Sequence, residues 1–181
     1  MKKIILLTLL ITSLYSKATV YVGADYGYYS EDFDSIDAKS ASTLTRLKVG
    51  YGNIKSYAVE FSLEYVMNRS NIFSVEGHDG NKLGFDISLI KAYDFNKYFY
   101  PYVKVGFGSG ALDISRSVQS RLSYGSFNAG AGFYIPITQH VDIELAYLYK
   151  QVSYEPINFI SYRKSYQSII NTTSLGINIR F

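Results

Sequence analysis

The stretch Ser174-Leu175-Gly176-Ile177-Asn178-Ile179-Arg180-Phe181 decides how the rest of the chain is read. Leu175, Ile177, Ile179 and Phe181 alternate with Ser174, Gly176, Asn178 and Arg180. A period of two puts the first set on one face of a strand and the second set on the other. A strand that is apolar on one face and carries a free edge invites aggregation. This last stretch is therefore expected to pair with the first strand and to close a barrel.

Working outward, the same alternation recurs seven times. The pattern predicts strands over Thr19–Tyr28, Thr43–Gly52 and Tyr57–Met67, then over Leu83–Leu89, Pro101–Gly108, Phe127–Ile135 and Val141–Lys150. Polar stretches at Tyr29–Ser42, Asn68–Asn81, Ser109–Leu122 and from Tyr154 to about Gln167 read as four long loops. Short turns centre near residues 54, 96 and 138, so a hairpin recurs every 42 residues. Outside the first residues nothing has helical period over ten residues.

The first residues read as an export leader: Lys2 and Lys3 precede an apolar run from Ile4 to Leu14, and Ser16-Lys17-Ala18 offers small residues at the cleavage positions. The run is too short to span a bilayer as a helix. Residues 1–18 are expected to be removed, leaving 19–181 as one domain. The 18 basic residues less Lys2, Lys3 and Lys17 leave 15, balanced by 15 acidic residues. A neutral exported domain lacks the basic patch of a nucleic-acid binder, so nucleic acid is not an expected partner. With no cysteine there is no disulfide framework.

Periodicity alone leaves the apolar face pointing either into a core or out to lipid. Three features select lipid. Strands of roughly 9–11 residues match a tilted bilayer crossing, and short turns alternate with long loops, as at the two ends of a transmembrane barrel. Aromatic residues also gather at both strand ends: Tyr51, Tyr57, Tyr93, Phe99 and Phe181 beside the short turns, and Tyr28, Tyr65, Phe107, Phe127 and Tyr149 toward the long loops. The expected fold is all-β, an eight-stranded antiparallel transmembrane β-barrel with short periplasmic turns and four longer extracellular loops.

The polar face then lines a narrow lumen. Turn centres near 54 and 95 set Lys48 opposite Glu60, Arg46 diagonal to Glu60 and Glu64, and Asp86 opposite Lys104. Arg46, Lys48, Glu60, Glu64, Asp86 and Lys104 are thus expected to form a lumen charge network, because charge enclosed in a barrel must be paired. Glycines at 23, 27, 50, 84, 106, 108, 130, 132 and 176 on that face are expected to leave some spare volume. Arg69, Lys82, Arg116, Arg121, Lys150, Arg163 and Lys164 fall near the outer rim, where they are candidate partners for lipopolysaccharide phosphates. Glu31, Asp32, Asp34 and Asp37 lack the glycine and closing glutamate of a calcium loop and read as a solvated acidic loop, so no metal or cofactor is expected.

The segments Tyr100–Gly108, Asn128–Tyr134, Val141–Tyr147 and Gly176–Phe181 resemble the small outer-membrane β-barrel proteins of Gram-negative bacteria, the OmpA/OmpX-like barrels and opacity-type adhesins. The resemblance covers the whole of 19–181 and implies location in the outer membrane. It also implies that Gly176, Ile177, Ile179 and Phe181 serve as the signal read by the barrel-assembly machinery. Unlike full-length OmpA-like proteins, the chain is expected to carry no periplasmic peptidoglycan-binding domain. The resemblance favours a non-enzymatic barrel whose surface loops act in adhesion to a host or other surface, or in envelope integrity. A narrow passive porin-like channel is the alternative. Some barrels of this architecture modify lipid A with a His, a Ser and an acid. Here His78, Ser74 and Asp79 lie together in one loop, while His140 falls at the periplasmic end.

Overall fold

The computed structural model describes residues 18–34, 38–68, 72–74, 78–115, 120–158 and 163–181. The proposed leader falls outside this set, save Ala18. The strands are β1 (Thr19–Phe33), β2 (Ala38–Gly52), β3 (Tyr57–Val66), β4 (Lys82–Ala92), β5 (Tyr100–Asp113), β6 (Arg121–Pro136), β7 (Val141–Tyr154), the short β8 (Ile157–Asn158) and β9 (Arg163–Lys164), and β10 (Gln167–Arg180). Eight of them close a barrel in the order β1-β10-β7-β6-β5-β4-β3-β2, while β8 and β9 pair with each other. All pairings are antiparallel, and β10 closes on β1 from Tyr21↔Arg180 to Phe33↔Ser168. The stretch 174–181 therefore sits at the seam.

Alternation fixes the faces. Along β3, Val59, Phe61, Leu63 and Tyr65 point outward and Ala58, Glu60, Ser62, Glu64 and Val66 inward. The outward sets of the other strands extend this into a continuous apolar belt, including Leu47 and Val49, Phe85 and Ile87, and Leu175 and Ile177. Water would make such a surface an aggregation site; hydrocarbon makes it a membrane-spanning wall. Tyr51, Tyr93 and Phe181 are exposed at one end of the belt, and Tyr28, Tyr65, Phe107 and Phe127 at the other.

The first expected loop is largely strand, the third is strand at both its ends, and the fourth begins where the β7–β10 ladder stops. The ladder of β1 and β2 runs on to Phe33↔Ala38, that of β5 and β6 to Asp113↔Arg121, and that of β7 and β10 to Gln167↔Ser153. The polar letters that suggested loops belong to outward positions above the belt, where the wall meets water. Asp32 faces Lys39 across the strands at 3.0 Å, and Asp113 faces Arg121 at 3.2 Å. The inward positions keep alternating: Tyr29, Glu31 and Phe33 are buried. Glu31 and Asp32 are thus wall residues rather than part of a solvated acidic loop, and Asp37 lies outside the described residues.

The hairpin registers also differ from expectation. In β2–β3 Arg46 lies opposite Glu64 and Lys48 opposite Ser62, and in β4–β5 Asp86 lies opposite Gly108 and Lys104 opposite Ile90. The first turn is set by Gly52, whose φ of 144° suits glycine, and by the Asn53 N–H bonded to the Tyr57 carbonyl at 2.7 Å. The second takes all of residues 93–99, and the Asn96 side-chain oxygen accepts from the N–H groups of Tyr98 and Phe99. Both expected registers miss by an even number of residues, so every side chain stays on its expected face.

Candidate functional site

The lumen is built in three layers. At the periplasmic end Tyr21, Ile54, Ala58, Ile90, Tyr100, Tyr102 and Tyr134 form an apolar cluster, with the rings of Tyr102 and Tyr134 stacked at 4.5 Å. Glycines make this possible. A Cβ on Gly50 would stand 2.0 Å from the Tyr21 ring, and one on Gly132 would stand 2.6 Å from the Tyr102 hydroxyl. The volume that the lumen glycines leave is therefore filled by neighbouring strands' side chains, which corrects the expectation of spare space.

The middle layer is charged. Arg46 donates through Nε and Nη2 to Glu64 at 3.0 and 2.7 Å and through Nη1 to Asp25 at 3.3 Å. Lys48 pairs with Asp25 at 2.7 Å and with Glu144 across the barrel. Lys150 bridges Glu64 at 2.6 Å and Asp86 at 2.8 Å, and Lys104 reaches Glu60 at 3.4 Å. Tyr21 donates to Glu60 at 2.8 Å, Tyr102 donates to Glu144, Asn178 donates to Glu144 at 2.9 Å, and Asn128 donates to Asp86 at 3.1 Å. Each carboxylate thus meets a cation, most with a further neutral donor beside it. That is the condition under which buried charge is tolerated.

The expected set Arg46, Lys48, Glu60, Glu64, Asp86 and Lys104 is brought together here, with partners other than those expected. Asp25, Glu144, Lys150, Asn128 and Asn178 were missed as members. Their inward parity was visible in sequence, but Lys48 and Glu144 meet only because the barrel closes.

The outer layer lies above the belt. Phe33, Leu44, Val66, Leu112, Leu122, Val152 and Ile170 enclose Phe73 from the β3–β4 loop and Tyr166 from the β7–β10 connection. Phe73 contacts Phe33, Tyr154 and Tyr166 with ring centroids 5.2 to 5.5 Å apart. At the centre Lys82 donates to Glu31 at 2.6 Å and to the hydroxyl oxygens of Tyr29 and Tyr154 at 2.8 and 2.6 Å. Tyr29, Tyr154 and Ser168 in turn donate to Glu31. Loop chain is drawn into the mouth by Asp79, whose carboxylate accepts from the N–H groups of Ile72, Phe73 and Ser74 at 2.7 to 3.2 Å.

Lys82 and Lys150 are therefore lumen residues rather than rim contacts for lipopolysaccharide. Both were assigned to the rim by their nearness to a strand end, whereas their strands face them inward. Arg121 is exposed at the rim beside Asp113. Arg69 and Arg116, and the side chains of Arg163 and Lys164, lie outside what the structure describes. His78 is exposed, and Ser74 Oγ donates to its backbone carbonyl at 3.4 Å while Asp79 faces backbone amides. Ser74, His78 and Asp79 thus do not form a nucleophile–base–acid relay. Among the described residues no three His, Cys, Asp or Glu side chains group as a metal site. At the seam Gly176, Ile177 and Ile179 pair with Asp25, Ala24 and Val22, and the exposed Phe181 donates its N–H to the Val20 carbonyl at 2.9 Å.

A closed barrel with an apolar outer belt, aromatic bands and a polar interior defines a transmembrane β-barrel of the bacterial outer membrane. The chain belongs to the outer membrane protein beta-barrel domain family, whose model matches residues 4–181. Among solved structures it is similar to Neisserial surface protein A, with 18% identity and a TM-score of 0.62 over 92% of this chain and 100% of that one. It is also similar to Ail, the attachment invasion locus protein of Yersinia pestis, in complex with the heparin analogue sucrose octasulfate, with 18% identity and a TM-score of 0.59 over 91% and 99%. The N-terminal barrel of Pseudomonas aeruginosa OprF matches at 13% identity and a TM-score of 0.53 over 88% and 97%. A search of curated protein sequences returns no match.

Proposed function

We propose that this outer-membrane barrel is a non-enzymatic, non-conducting scaffold that works through its outer end, in adhesion or another contact with a surface. The observation that carries this reading is the state of the lumen. A water-filled channel leaves its charged lining accessible, whereas none of Asp25, Arg46, Lys48, Glu60, Glu64, Asp86, Lys104, Glu144 and Lys150 is more than 6% exposed. With the interior filled, the surfaces left for function are the extended wall and its loops, and such loops tolerate variation on a rigid support. The neighbours named as a surface protein and an attachment protein agree in kind. Lipopolysaccharide contacts are proposed for Arg121 and for Arg69, Arg116, Arg163 and Lys164.

Two measurements test this. Protein refolded in detergent and placed in a planar bilayer should show no discrete conductance steps; steps would return the passive pore to first place. Cells displaying a variant with residues 69–77 and 158–163 replaced by short turns should lose binding to surfaces that the parent binds, with the barrel still heat-modifiable on gels. Undiminished binding by the folded variant would remove the loops from the reading.

A further inference from the structure

At the periplasmic end Lys91 and Lys97 lie over aromatic rings. Lys91 follows Leu89 on the outward face of β4, at the periplasmic edge of the apolar belt. It lies opposite Tyr57 of β3, and its ammonium sits 3.9 Å from the centre of the Tyr57 ring and 5.5 Å from that of Tyr93. The lumen cations, Lys39, Lys55, Arg121 and Arg180 all pair with carboxylates, whereas Lys91 has no carboxylate within ion-pairing distance among the described residues. The hydroxyls of Tyr57 and Tyr93 are likewise without a hydrogen-bond partner among them. An aromatic face holds an ammonium without neutralising it, and an ammonium has three donors to spend.

We propose that Tyr57, Lys91 and Tyr93 form a site for the phosphate of a net-anionic glycerophospholipid in the periplasmic leaflet. Position selects the ligand class: the group next to Lys91 along the wall is lipid, with acyl chains against Leu89 and headgroup at the level of the ammonium. The rings fix the lysine in place, the ammonium meets the phosphate oxygens, and the two phenol hydroxyls are placed to donate to the same headgroup. A lipid with a net negative headgroup is preferred over a zwitterionic one, because the site offers positive charge and no carboxylate to hold a headgroup amine.

The test is native mass spectrometry of the folded barrel in detergent, titrated with phosphatidylglycerol or with phosphatidylcholine of the same acyl chains. The parent should retain phosphatidylglycerol about five-fold better than K91M does, the worth of one lysine at an anionic surface, and K91R should keep most of that retention. Phosphatidylcholine should be held equally weakly by all three. Inorganic phosphate at matched concentration should not compete; competition would make the site a free-anion site and overturn the lipid assignment. Equal retention by parent and K91M would overturn the proposal. So would an equal loss in K97M, whose lysine lies over Tyr98 in the nearby turn, since any rim charge would then serve. Lys91 faces outward, so all variants should show the parent's heat-modifiable gel shift.

Discussion

Lys150→Met is the substitution that most directly interrogates the lumen. Lys150 is the only cation bonded to Asp86 among the described residues, at 2.8 Å, whereas its other partner Glu64 keeps Arg46. After the change, Asp86 is left buried with the Asn128 amide as donor and the Glu64 carboxylate beside it. Stranding one member of a buried pair costs about 3–5 kcal/mol. Protonating the aspartate relieves it at about 1.4 kcal/mol per pH unit above its ordinary value near 4, which caps the loss at about 4 kcal/mol at pH 7 and about 1.5 kcal/mol at pH 5. The sign follows: the deficit of K150M relative to parent is largest at neutral pH and shrinks as the medium is acidified. Adding D86N removes the stranded charge, so K150M/D86N should recover, with a coupling of about 2–3 kcal/mol. The assay is urea unfolding from lipid vesicles followed by far-ultraviolet circular dichroism at both pH values. A K150M deficit that is the same at pH 7 and pH 5, or a D86N cost that simply adds to it, would refute the assigned network.

The remaining expectations concern the two ends, the packing and assembly. D79A removes the acceptor for three loop N–H groups, and at about 1–3 kcal/mol per buried donor it should raise the rate of protease cleavage in the β3–β4 loop while the barrel's unfolding is unchanged; cleavage at the parent rate would deny Asp79 its anchoring role. G50A must displace the Tyr21 ring and should cost about 1–3 kcal/mol, whereas G125A, whose added carbon meets nothing within 4 Å, should stay within about 0.5 kcal/mol of parent; equal effects would refute the packing argument. F181A should reduce outer-membrane insertion in cells several-fold while leaving refolding in vitro intact, since the ring is exposed and only its N–H pairs with β1; normal insertion would exclude Phe181 from the assembly signal.

What could be read in the sequence was parity, and what could not was distance. The alternation at Leu175, Ile177 and Ile179, and at Val59, Phe61 and Leu63, assigns faces without any knowledge of partners, so strand number, closure and the lipid-facing set were all legible. Asp86 and Lys150 sit 64 residues apart, and no local pattern announces such a meeting across a lumen. Polar outward positions such as Ser30, Asp32 and Asp113 read as loop because a strand with water on one side and a plugged core on the other carries no apolar belt. The inward positions Tyr29, Phe33, Leu112 and Leu122 held the contrary signal, an aromatic and aliphatic alternation continuing past the expected strand ends.

The lumen charges also bear on why the chain adopts one pairing. An all-apolar interior would make both faces of each strand alike, and a slip of one residue would then cost little. With Arg46, Lys48, Glu60 and Glu64 inside, the same slip turns four charges toward hydrocarbon, and a basic residue facing lipid at mid-depth costs about 2–4 kcal/mol. Against that, the net stabilisation from the buried pairs is small, because desolvation offsets most of their attraction. We therefore infer that the network's contribution is to uniqueness of register more than to depth of the folded well. Replacing Arg46 and Lys150 with Met, Glu64 with Gln and Asp86 with Asn should leave unfolding within about 2 kcal/mol of parent, since Glu64 and Asp86 lose their charge together with their cations and Asp25 keeps Lys48. The same variant should refold to several gel species where the parent gives one. A single species from that variant would show that Arg46, Glu64, Asp86 and Lys150 are not needed to set the register.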